Sequence, residues 1–366
     1  MGLREYIIRR LILVIPIILG AILLVFLITQ LFTPEQRAFL YLKNPEKTKP
    51  EDIEATILMY GLNRSAFEQF WNWLNQLIQG NLGMSRTYVE RGPVMQVMLT
   101  RWPATIELAL FIAPITILLG IFLGVKSAVH RDKLLDHATR LIAIGGYSLP
   151  SFWLGLVLIS ITVLFTSAIF GSAWNPFGRV SLANQHIIRN AQMFTRYTGM
   201  LTLDGILNGL LNGRPWGYQI AFDAFLHLIL PVTVVSTINV GGLLRLTRSS
   251  MLEALTKGYI ITAKAKGLKM SEVINRHARR NALIPVVTVA GMMVAGLMSG
   301  LVITETVFQF EGVGRWAAEA ATGGERGAPD VASVVGFTFF TAFLFIFANL
   351  IVDILYAYID PRIRLG

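Results

Sequence analysis

The sequence predicts an all-α polytopic membrane protein with six transmembrane helices. Hydrophobic residues make up 54% of the 366 residues and charged residues only 15%, and the hydrophobic residues gather in six long, continuous stretches. Soluble domains carry about 25% charged residues and cannot bury apolar runs of this length. The chain has no cysteine, which excludes a disulfide-stapled secreted domain, thiolate catalysis and cysteine-ligated metal sites.

Each of the six stretches has the roughly 20 apolar residues that a helix needs to cross the hydrocarbon core. None shows the alternation expected of a transmembrane β-barrel strand. The first stretch is too long for a signal peptide, and no cleavage pattern follows it. The predicted spans are residues 11–32, 104–125, 141–170, 222–244, 282–304 and 331–352.

The distribution of charge predicts the orientation of these spans. Both termini and the segments 126–140 and 245–281 together hold 18 Lys and Arg residues against 7 Asp and Glu residues, and the alternate loops show no such surplus. Lys and Arg concentrate on the cytoplasmic side of cell membranes. We therefore expect a multi-pass protein of the cell membrane with both termini and segment 245–281 in the cytoplasm. The net charge of +10 then reflects topology, and we expect no nucleic-acid partner.

Two long segments are expected on the outer side. In the first, Ser65 and Glu68 have the spacing of a capping box and Gly80 is placed to end a helix, so we predict a helix between them. Its aromatic residues would lie on the outer leaflet or against the protein's own surface, and the sequence favours neither. The second segment, 171–221, shows little periodicity. Both are candidate docking surfaces for an extracytoplasmic partner.

The basic segment 245–281 is compatible with helix but too polar to span a membrane. Gly267 interrupts it, and Ser271 is placed to cap a second helix. The small residues Ala263 and Ala265 would let another surface approach the backbone closely. The pattern indicates a helix–break–helix element that could transmit movement from a soluble partner. An ordinary basic loop that only sets topology is the alternative, and spacing alone favours that alternative.

This segment resembles the "EAA" coupling loop of permease subunits of ABC importers, in the dipeptide, oligopeptide and nickel branch. The loop of that branch reads like TAxAKGL followed by RHAxRNALIP. The resemblance continues along the chain through YIIRRLILVIP, GNLGMS, GYSLPSFWLGL, TETVFQFEGVGRWAAEA and DILYAYIDPRIR. It departs where Glu311 replaces the usual proline before GVGR and where TPEQ replaces a PGDP-like segment. The residues that match the loop are Thr262, Ala263, Ala265, Lys266, Gly267 and Leu268, then Arg276, His277, Ala278, Arg280, Asn281, Ala282, Leu283, Ile284 and Pro285.

The resemblance implies a type I ABC importer permease fold and a set of partners. The chain would be the B-type transmembrane subunit and would form, with a second homologous permease subunit, a pathway for di- and oligopeptides. Oligosaccharide or nickel are alternatives within the same class. An extracytoplasmic solute-binding protein would deliver the solute, and two cytoplasmic ABC ATPase subunits would contact the coupling loop. The residues of that contact would be Thr262, Ala263, Ala265, Lys266, Gly267, Leu268, Ser271, Glu272 and Val273.

The resemblance also implies that His277, Arg280, Asn281 and Pro285 join the coupling loop to the next span. The sequence contains no GxxxxGK[ST] phosphate loop, so the chain cannot supply the ATP site. We expect it to bind no cofactor and to be no enzyme, with ATP and Mg bound by the partner ATPases. No catalytic constellation or metal-ligating cluster stands out.

We divide the chain into an N-terminal part and a core. Residues 1–103 would contain the cytoplasmic N-terminal end, the first span and the long outer loop, and residues 104–366 a five-helix permease core with coupling loop 245–281. The third stretch is interrupted at Tyr147, Pro150, Ser151 and Phe152. A broken helix often lines a transport pathway, although an ordinary proline kink explains these residues equally well.

Two ionisable residues inside the stretches bear on the competing functions. Glu107 follows Pro103 by four positions, which indicates the first turn of a helix and a structural role. His227 could be a proton site, although a hydrogen-bonded interior histidine is commoner. A stand-alone secondary transporter or channel would need several such groups near the midplane, and the sequence offers only His227. A membrane scaffold or receptor that moves nothing is a third hypothesis.

Overall fold

The computed structural model describes residues 3–39, 41–42, 48–87, 91–323 and 330–359, and these are almost entirely helical. Six helical segments within them are long and apolar enough to cross a membrane. They confirm the predicted all-α class with six candidate spans. The candidate spans are Leu11–Thr29, Val94–Val129, Ser151–Phe170, Pro215–Leu255, Met270–Val307 and Val331–Ile351.

The second and fourth candidate spans extend beyond the predicted apolar stretches in both directions, because polar turns continue these helices. The third candidate span begins only at Ser151, so the predicted start at residue 141 is wrong. Near the start of the chain, β1 and β2 form a short antiparallel hairpin. The elements in chain order are α1 (Leu3–Thr29), α2 (Pro34–Ala38), α3 (Pro50–Tyr60), α4 (Ala66–Ile78), β1 (Met84–Arg86), β2 (Arg91–Pro93), α5 (Val94–Val129), α6 (Leu134–Ser148), α7 (Ser151–Phe170), α8 (Leu182–Arg189), α9 (Leu201–Asn212), α10 (Pro215–Leu255), α11 (Gly258–Ala265), α12 (Met270–Glu272), a π-helix (Val273–Ala278), α13 (Arg279–Met298), α14 (Val302–Val307), α15 (Val313–Thr322) and α16 (Val331–Ile359).

The core of the fold is the pair α5 and α10, which cross closely at glycines. A Cβ atom added to Gly124 would lie 2.5 Å from the Thr247 Cβ atom, and one added to Gly120 would lie 2.9 Å from the Leu243 Cβ atom. Small residues allow such close helix packing within membranes. Because α5 begins at Val94, the predicted boundary at residue 103 lies inside a helix. The division into an N-terminal part and a core stays a prediction.

The first outer segment contains the predicted helix, α4, and its capping box is present. The Ser65 hydroxyl accepts a hydrogen bond from the Glu68 N–H, and the Glu68 carboxylate accepts one from the Ser65 N–H. One face of α4 packs on α1, where the Phe70 ring lies 5.2 Å from that of Phe26. Trp71, on the other face, is exposed. The helix therefore covers part of the protein and leaves aromatic surface free.

Segment 171–221 shows little periodicity in its sequence but is partly helical. It contains α8 and α9, and α9 packs against the start of α10 through glycines. A Cβ atom on Gly205 would lie 2.7 Å from the Gly217 carbonyl oxygen. The buried Asp204 carboxylate accepts hydrogen bonds from the N–H groups of Thr198 and Gly199 and so fixes the entry to α9. Close packing at small residues and one buried carboxylate define this region, and neither produces an apolar periodicity.

Candidate functional site

The basic segment between the fourth and fifth spans is a helix–break–helix element, as predicted, but it is shorter than expected. Helix α10 continues to Leu255, so residues 245–255 are helix and not loop. The polar end of α10 remains helical because Arg248 and the residues around it pack on α6. We refer to residues 256–278, which contain α11, the break, α12 and the π-helix, as the coupling element.

The break at Gly267 has a backbone cause. Gly267 adopts φ +77°, and an added Cβ atom would meet no other atom within 4 Å. The Leu268 N–H donates to the Ala263 carbonyl, and the Gly267 N–H donates to the Lys264 carbonyl. These two bonds form a Schellman motif, which ends a helix with a left-handed residue. Glycine is favoured here because the position is left-handed, and the space around it is open.

The predicted capping role of Ser271 is wrong. The second helix begins at Met270, and Lys269 occupies the N-cap position without a side-chain cap. The Lys269 carbonyl accepts hydrogen bonds from the Glu272 and Val273 N–H groups. Ser271 therefore lies inside the first turn of the helix and not in the N-cap position. The chain then continues as a π-helix before it enters α13.

One face of the coupling element is fixed to the membrane helices and the other is open. The fixed face forms a buried cluster with the ends of α5 and α10, and the open face carries most of the predicted contact residues. The prediction is wrong for Ala263 and Val273, whose side chains are buried on the fixed face. Ile261 and Met270 are also exposed there, so the open face mixes apolar and basic groups. The buried residues are Ile260, Ala263, Val273 and Ala278, packed on Ala128, Met251 and Ala254; the exposed residues are Thr262, Ala265, Lys266, Gly267, Ser271 and Glu272, with Leu268 partly buried.

The residues predicted to join the loop to the next span lie on the π-helix and on α13. His277 is partly buried, whereas Arg280, Asn281 and Pro285 are exposed. The Asn281 side-chain amide donates to the His277 carbonyl at 2.9 Å. This is a helix-internal bond, and it leaves the Arg280 side chain on the open face.

The third span is broken where the sequence predicted an interruption. Helix α6 ends at Ser148 and α7 begins at Ser151, with Pro150 in the N-cap position. Tyr147 lines a cavity of about 470 Å³ between α6 and α10, and the Arg245 guanidinium lies 5.3 Å from its ring centroid. Pro150, Ser151 and Phe152 do not line this cavity. Whether these four residues line a pathway stays a prediction.

A buried ion pair joins α6 to α10 beside the coupling element. The Arg248 Nε and Nη2 atoms donate to the Asp136 carboxylate oxygens at 2.7 and 2.8 Å. The Ser127 hydroxyl and the Asp132 N–H also donate to this buried carboxylate. The Arg248 hydrogen bonds hold the pKa of Asp136 well below its usual value, against the opposing effect of burial. The charged pair therefore fixes α6 to the end of α10.

We expect Asp136→Asn to lower the free energy of unfolding by about 3 kcal/mol at neutral pH, the lower end of the range for a broken buried pair, because it leaves Arg248, whose side chain is 19% exposed, beside a neutral group. A carboxyl with a depressed folded-state pKa stabilises the protein fully above its unfolded-state pKa of about 3.9 and loses that contribution as the pH falls toward the folded-state pKa. Thermal unfolding in detergent should therefore show a large difference from the wild type at pH 7 that shrinks below about pH 4.

Asp132→Asn is the matched control for this experiment. Asp132 lies in the same turn, and its ion pair with Arg131 is exposed, so its loss should cost less than about 1 kcal/mol. An Asp136→Asn protein that unfolds like the Asp132→Asn protein at neutral pH would show that the buried pair contributes nothing.

Glu107 has a structural role, but the predicted reason for it was wrong. It lies well inside α5 and not in a first helical turn. Its buried carboxylate accepts hydrogen bonds from Arg179 Nη2 at 2.6 Å and from the Thr202 N–H and hydroxyl at 2.7 Å. The positive charge that compensates the Glu107 carboxylate therefore comes from Arg179 in the second outer segment. The sequence alone did not predict that this segment packs next to α5.

Both ring nitrogens of the buried His227 lie next to hydrogen-bond acceptors. The Nδ1 atom lies 2.8 Å from the Asp223 carbonyl oxygen and 3.3 Å from the Asp223 carboxylate, and the Nε2 atom lies 3.1 Å from the Asn175 carbonyl oxygen. A neutral imidazole has one N–H and donates to only one side, whereas a protonated ring donates to both. These contacts tie α10 to the loop after α7.

Sequence reasoning missed Glu305, which organises the end of the fifth span. Its buried carboxylate accepts hydrogen bonds from the Leu301 N–H, the Arg315 N–H and the Thr105 hydroxyl at 2.8–3.2 Å. A Cβ atom on Gly312 would lie 2.4 Å from this carboxylate. The sequence signal from which this role could have been predicted was Glu305 followed by the glycines of the run EGVGR.

The fold and the coupling element together define a class: a polytopic membrane protein with a polar helical element exposed on one face. No cluster of three or more His, Asp or Glu residues suited to a metal occurs in the described part of the chain. The family model for the inner membrane component of binding-protein-dependent transport systems matches residues 116–365. The chain belongs to this family of transport permeases, which confirms the resemblance to ABC importer permeases.

Curated relatives align over nearly the full length of the chain. The di/tripeptide transport system permease protein DppB of Pseudomonas aeruginosa is 36% identical over 362 residues, which are 98% of each chain. The dipeptide transport system permease protein DppB of Escherichia coli K12 is 35% identical over 364 residues, again 98% of each. The oligopeptide transport system permease protein AppB of Bacillus subtilis is 33% identical over 360 residues, 98% of this chain and 99% of the relative.

Proposed function

We propose that this chain is a permease subunit of an ABC importer that carries di- or oligopeptides across the cell membrane. The observation that carries the proposal is full-length similarity to permeases named for di-, tri- and oligopeptide transport. Similarity of this kind supports the solute class by analogy. Oligosaccharide and nickel are the alternatives within the same class.

The proposed subunit works as part of a larger assembly. A second homologous permease completes the pathway, two ATPase subunits bind and hydrolyse ATP with Mg on the cytoplasmic side, and an extracytoplasmic solute-binding protein delivers the solute. The surplus of Lys and Arg on the termini, on residues 126–140 and on residues 245–281 supports an orientation with both termini in the cytoplasm. The outer segments then face the solute-binding protein.

The open face of the coupling element is the proposed contact with the ATPases. Ala265 and Lys266 lie beside the break at Gly267, and Ser271 and Glu272 follow it, all with exposed side chains. The opposite face is buried against α5 and α10 through Ala263 and its neighbours. Movement of an ATPase bound here would pass directly to those two helices, because the buried cluster leaves the element no independent freedom. ATP binding and hydrolysis would then alternate the pathway between outward-open and inward-open states.

Transport by the assembled importer in liposomes tests the proposal. With ATP inside, the complex and its solute-binding protein should accumulate a labelled tripeptide, and mass spectrometry of the solute-binding protein should find peptide. Accumulation of an oligosaccharide or of nickel in place of the peptide would replace the proposed solute. Gradient-driven uptake by this chain without ATPases would instead support a secondary transporter and overturn the importer mechanism.

A further inference from the structure

The cavity between α6 and α10 has features that the transport mechanism does not use. Its volume is about 470 Å³, and arginine, serine, tyrosine and aliphatic side chains line it. The residues that matter here are Arg140, Ile144, Tyr147, Arg245, Arg248 and Ser249.

Two of the three arginines are uncommitted. Arg248 is held by Asp136 through two hydrogen bonds. Arg140 and Arg245 have exposed side chains, and neither forms an ion pair with any carboxylate in the described part of the chain. Arg245 stacks over the ring of Tyr147, which holds the guanidinium at the cavity. The cavity therefore presents two positive groups with donors available for an anion.

The depth of these arginines matches that of lipid headgroups. Arg140 directly precedes the apolar stretch 141–170, and Arg245 directly follows the apolar stretch 222–244. Asp136 near the start of α6 pairs with Arg248 near the end of α10, so the two helices run in opposite directions and both arginines lie at the same end of this helix pair. Phosphate groups lie at that boundary, and basic pockets between spans on the cytoplasmic side are suited to anionic headgroups.

The rim of the cavity is apolar and exposed, which suits acyl chains. Ile144 is 61% exposed and Tyr147 is 58% exposed, and beside them on α6 Leu141 is 71% and Ile142 is 64% exposed. Cationic groups beside exposed aliphatic groups favour an anionic phospholipid as the occupant.

We propose that this cavity binds the phosphate group of an anionic phospholipid, with Arg140 and Arg245 donating hydrogen bonds to the phosphate oxygens and Ile144 and Tyr147 in contact with the acyl chains. Charge-assisted hydrogen bonds from guanidinium groups to phosphate are strong and directional. The site would join a lipid to α6 and α10 beside the coupling element. The binding chemistry is independent of the transported solute, and only the choice of leaflet depends on the proposed orientation.

Native mass spectrometry of the full-length chain tests the site. Phosphatidylglycerol should bind the wild type with an apparent Kd at least about tenfold below that of the Arg140→Gln/Arg245→Gln double variant, the ratio that 1.4 kcal/mol of lost contact gives. Phosphatidylcholine should show no such difference. The Arg131→Gln/Lys133→Gln double variant is the matched control, because it removes the same charge from the adjacent turn and leaves the cavity intact.

Each other outcome overturns the proposal. An unchanged phosphatidylglycerol Kd in the Arg140→Gln/Arg245→Gln variant would show that the cavity holds no lipid phosphate. An equal loss of phosphatidylglycerol affinity in both double variants would show that the affinity depends only on net charge. Displacement of phosphatidylglycerol by inorganic phosphate at similar concentration would assign the site to a free anion. Displacement by triglycine would assign it to the transport pathway. Circular dichroism of both variants should match the wild type, which shows that they are folded.

Discussion

Replacing Gly267 with valine is expected to uncouple ATP hydrolysis from uptake. The residue lies at φ +77° with no other atom within 4 Å of a Cβ position, so the substitution strains the backbone without creating a clash. The left-handed conformation costs an L-residue about 1–2 kcal/mol, and a β-branched residue tolerates it especially poorly. The strain would displace the Schellman turn and with it the exposed residues on both sides.

Uptake by the reconstituted importer should fall about tenfold in the Gly267→Val protein, as expected if the strain reduces the population of the docked conformation by that factor. Membrane insertion and basal ATP hydrolysis should persist. Gly267→Asn should keep most of the uptake, because asparagine enters the left-handed region more readily. Gly258→Val is the matched control, since Gly258 lies in the same element, has open space around it and lacks a positive φ. Normal uptake in the Gly267→Val protein would contradict the role of the break.

Replacing Glu305 with alanine is expected to prevent the chain from accumulating in a folded form. The change leaves the Leu301 N–H, the Arg315 N–H and the Thr105 hydroxyl without their acceptor in a buried site. An unsatisfied buried donor costs about 1–3 kcal/mol, so three of them approach the whole stability of a typical domain of about 5–15 kcal/mol. Glu305→Gln should be less severe because one acceptor oxygen remains.

Membrane abundance and thermal unfolding in detergent measure this effect. The matched control is Glu319→Gln, because Glu319 forms an ion pair with the same Arg315 in which both side chains stay partly exposed, at 26% for Arg315 and 23% for Glu319, and its loss should cost about 1 kcal/mol. If Glu305→Ala and Glu319→Gln proteins unfold at the same temperature, the carboxylate of Glu305 does not organise the end of the fifth span.

Local patterns predicted the parts of the structure that depend on local chemistry. The apolar stretches predicted the six spans, Ser65 and Glu68 predicted a capped helix, and Gly267 predicted a helix end. Each of these follows from residues within a few positions of one another, so hydropathy, capping and left-handed geometry suffice to find them.

The features that were missed depend on contacts between distant segments. Glu305 pairs with Thr105, two hundred positions earlier, and Arg179 supplies the charge that Glu107 needs. Helix α9 packs against α10 at Gly205. Packing at a glycine produces no apolar periodicity in the sequence, so the sequence pattern did not predict this helix. Ser271 has a residue type suited to a cap, but the helix begins at Met270, two residues too early for Ser271 to be the N-cap.

Cysteine cross-linking at the coupling element measures whether this chain is driven by ATPases that bind there. The chain has no cysteine of its own, so Ala265→Cys introduces one exposed thiol on the open face and Gln192→Cys introduces one on the opposite side of the protein. Ala265→Cys should cross-link to the co-purified ATPase subunits with a yield that changes between nucleotide-free and ATP-bound states, and Gln192→Cys should not cross-link to them. The absence of a cross-link from Ala265→Cys in every nucleotide state, or an equal yield from Gln192→Cys, would contradict the proposed coupling.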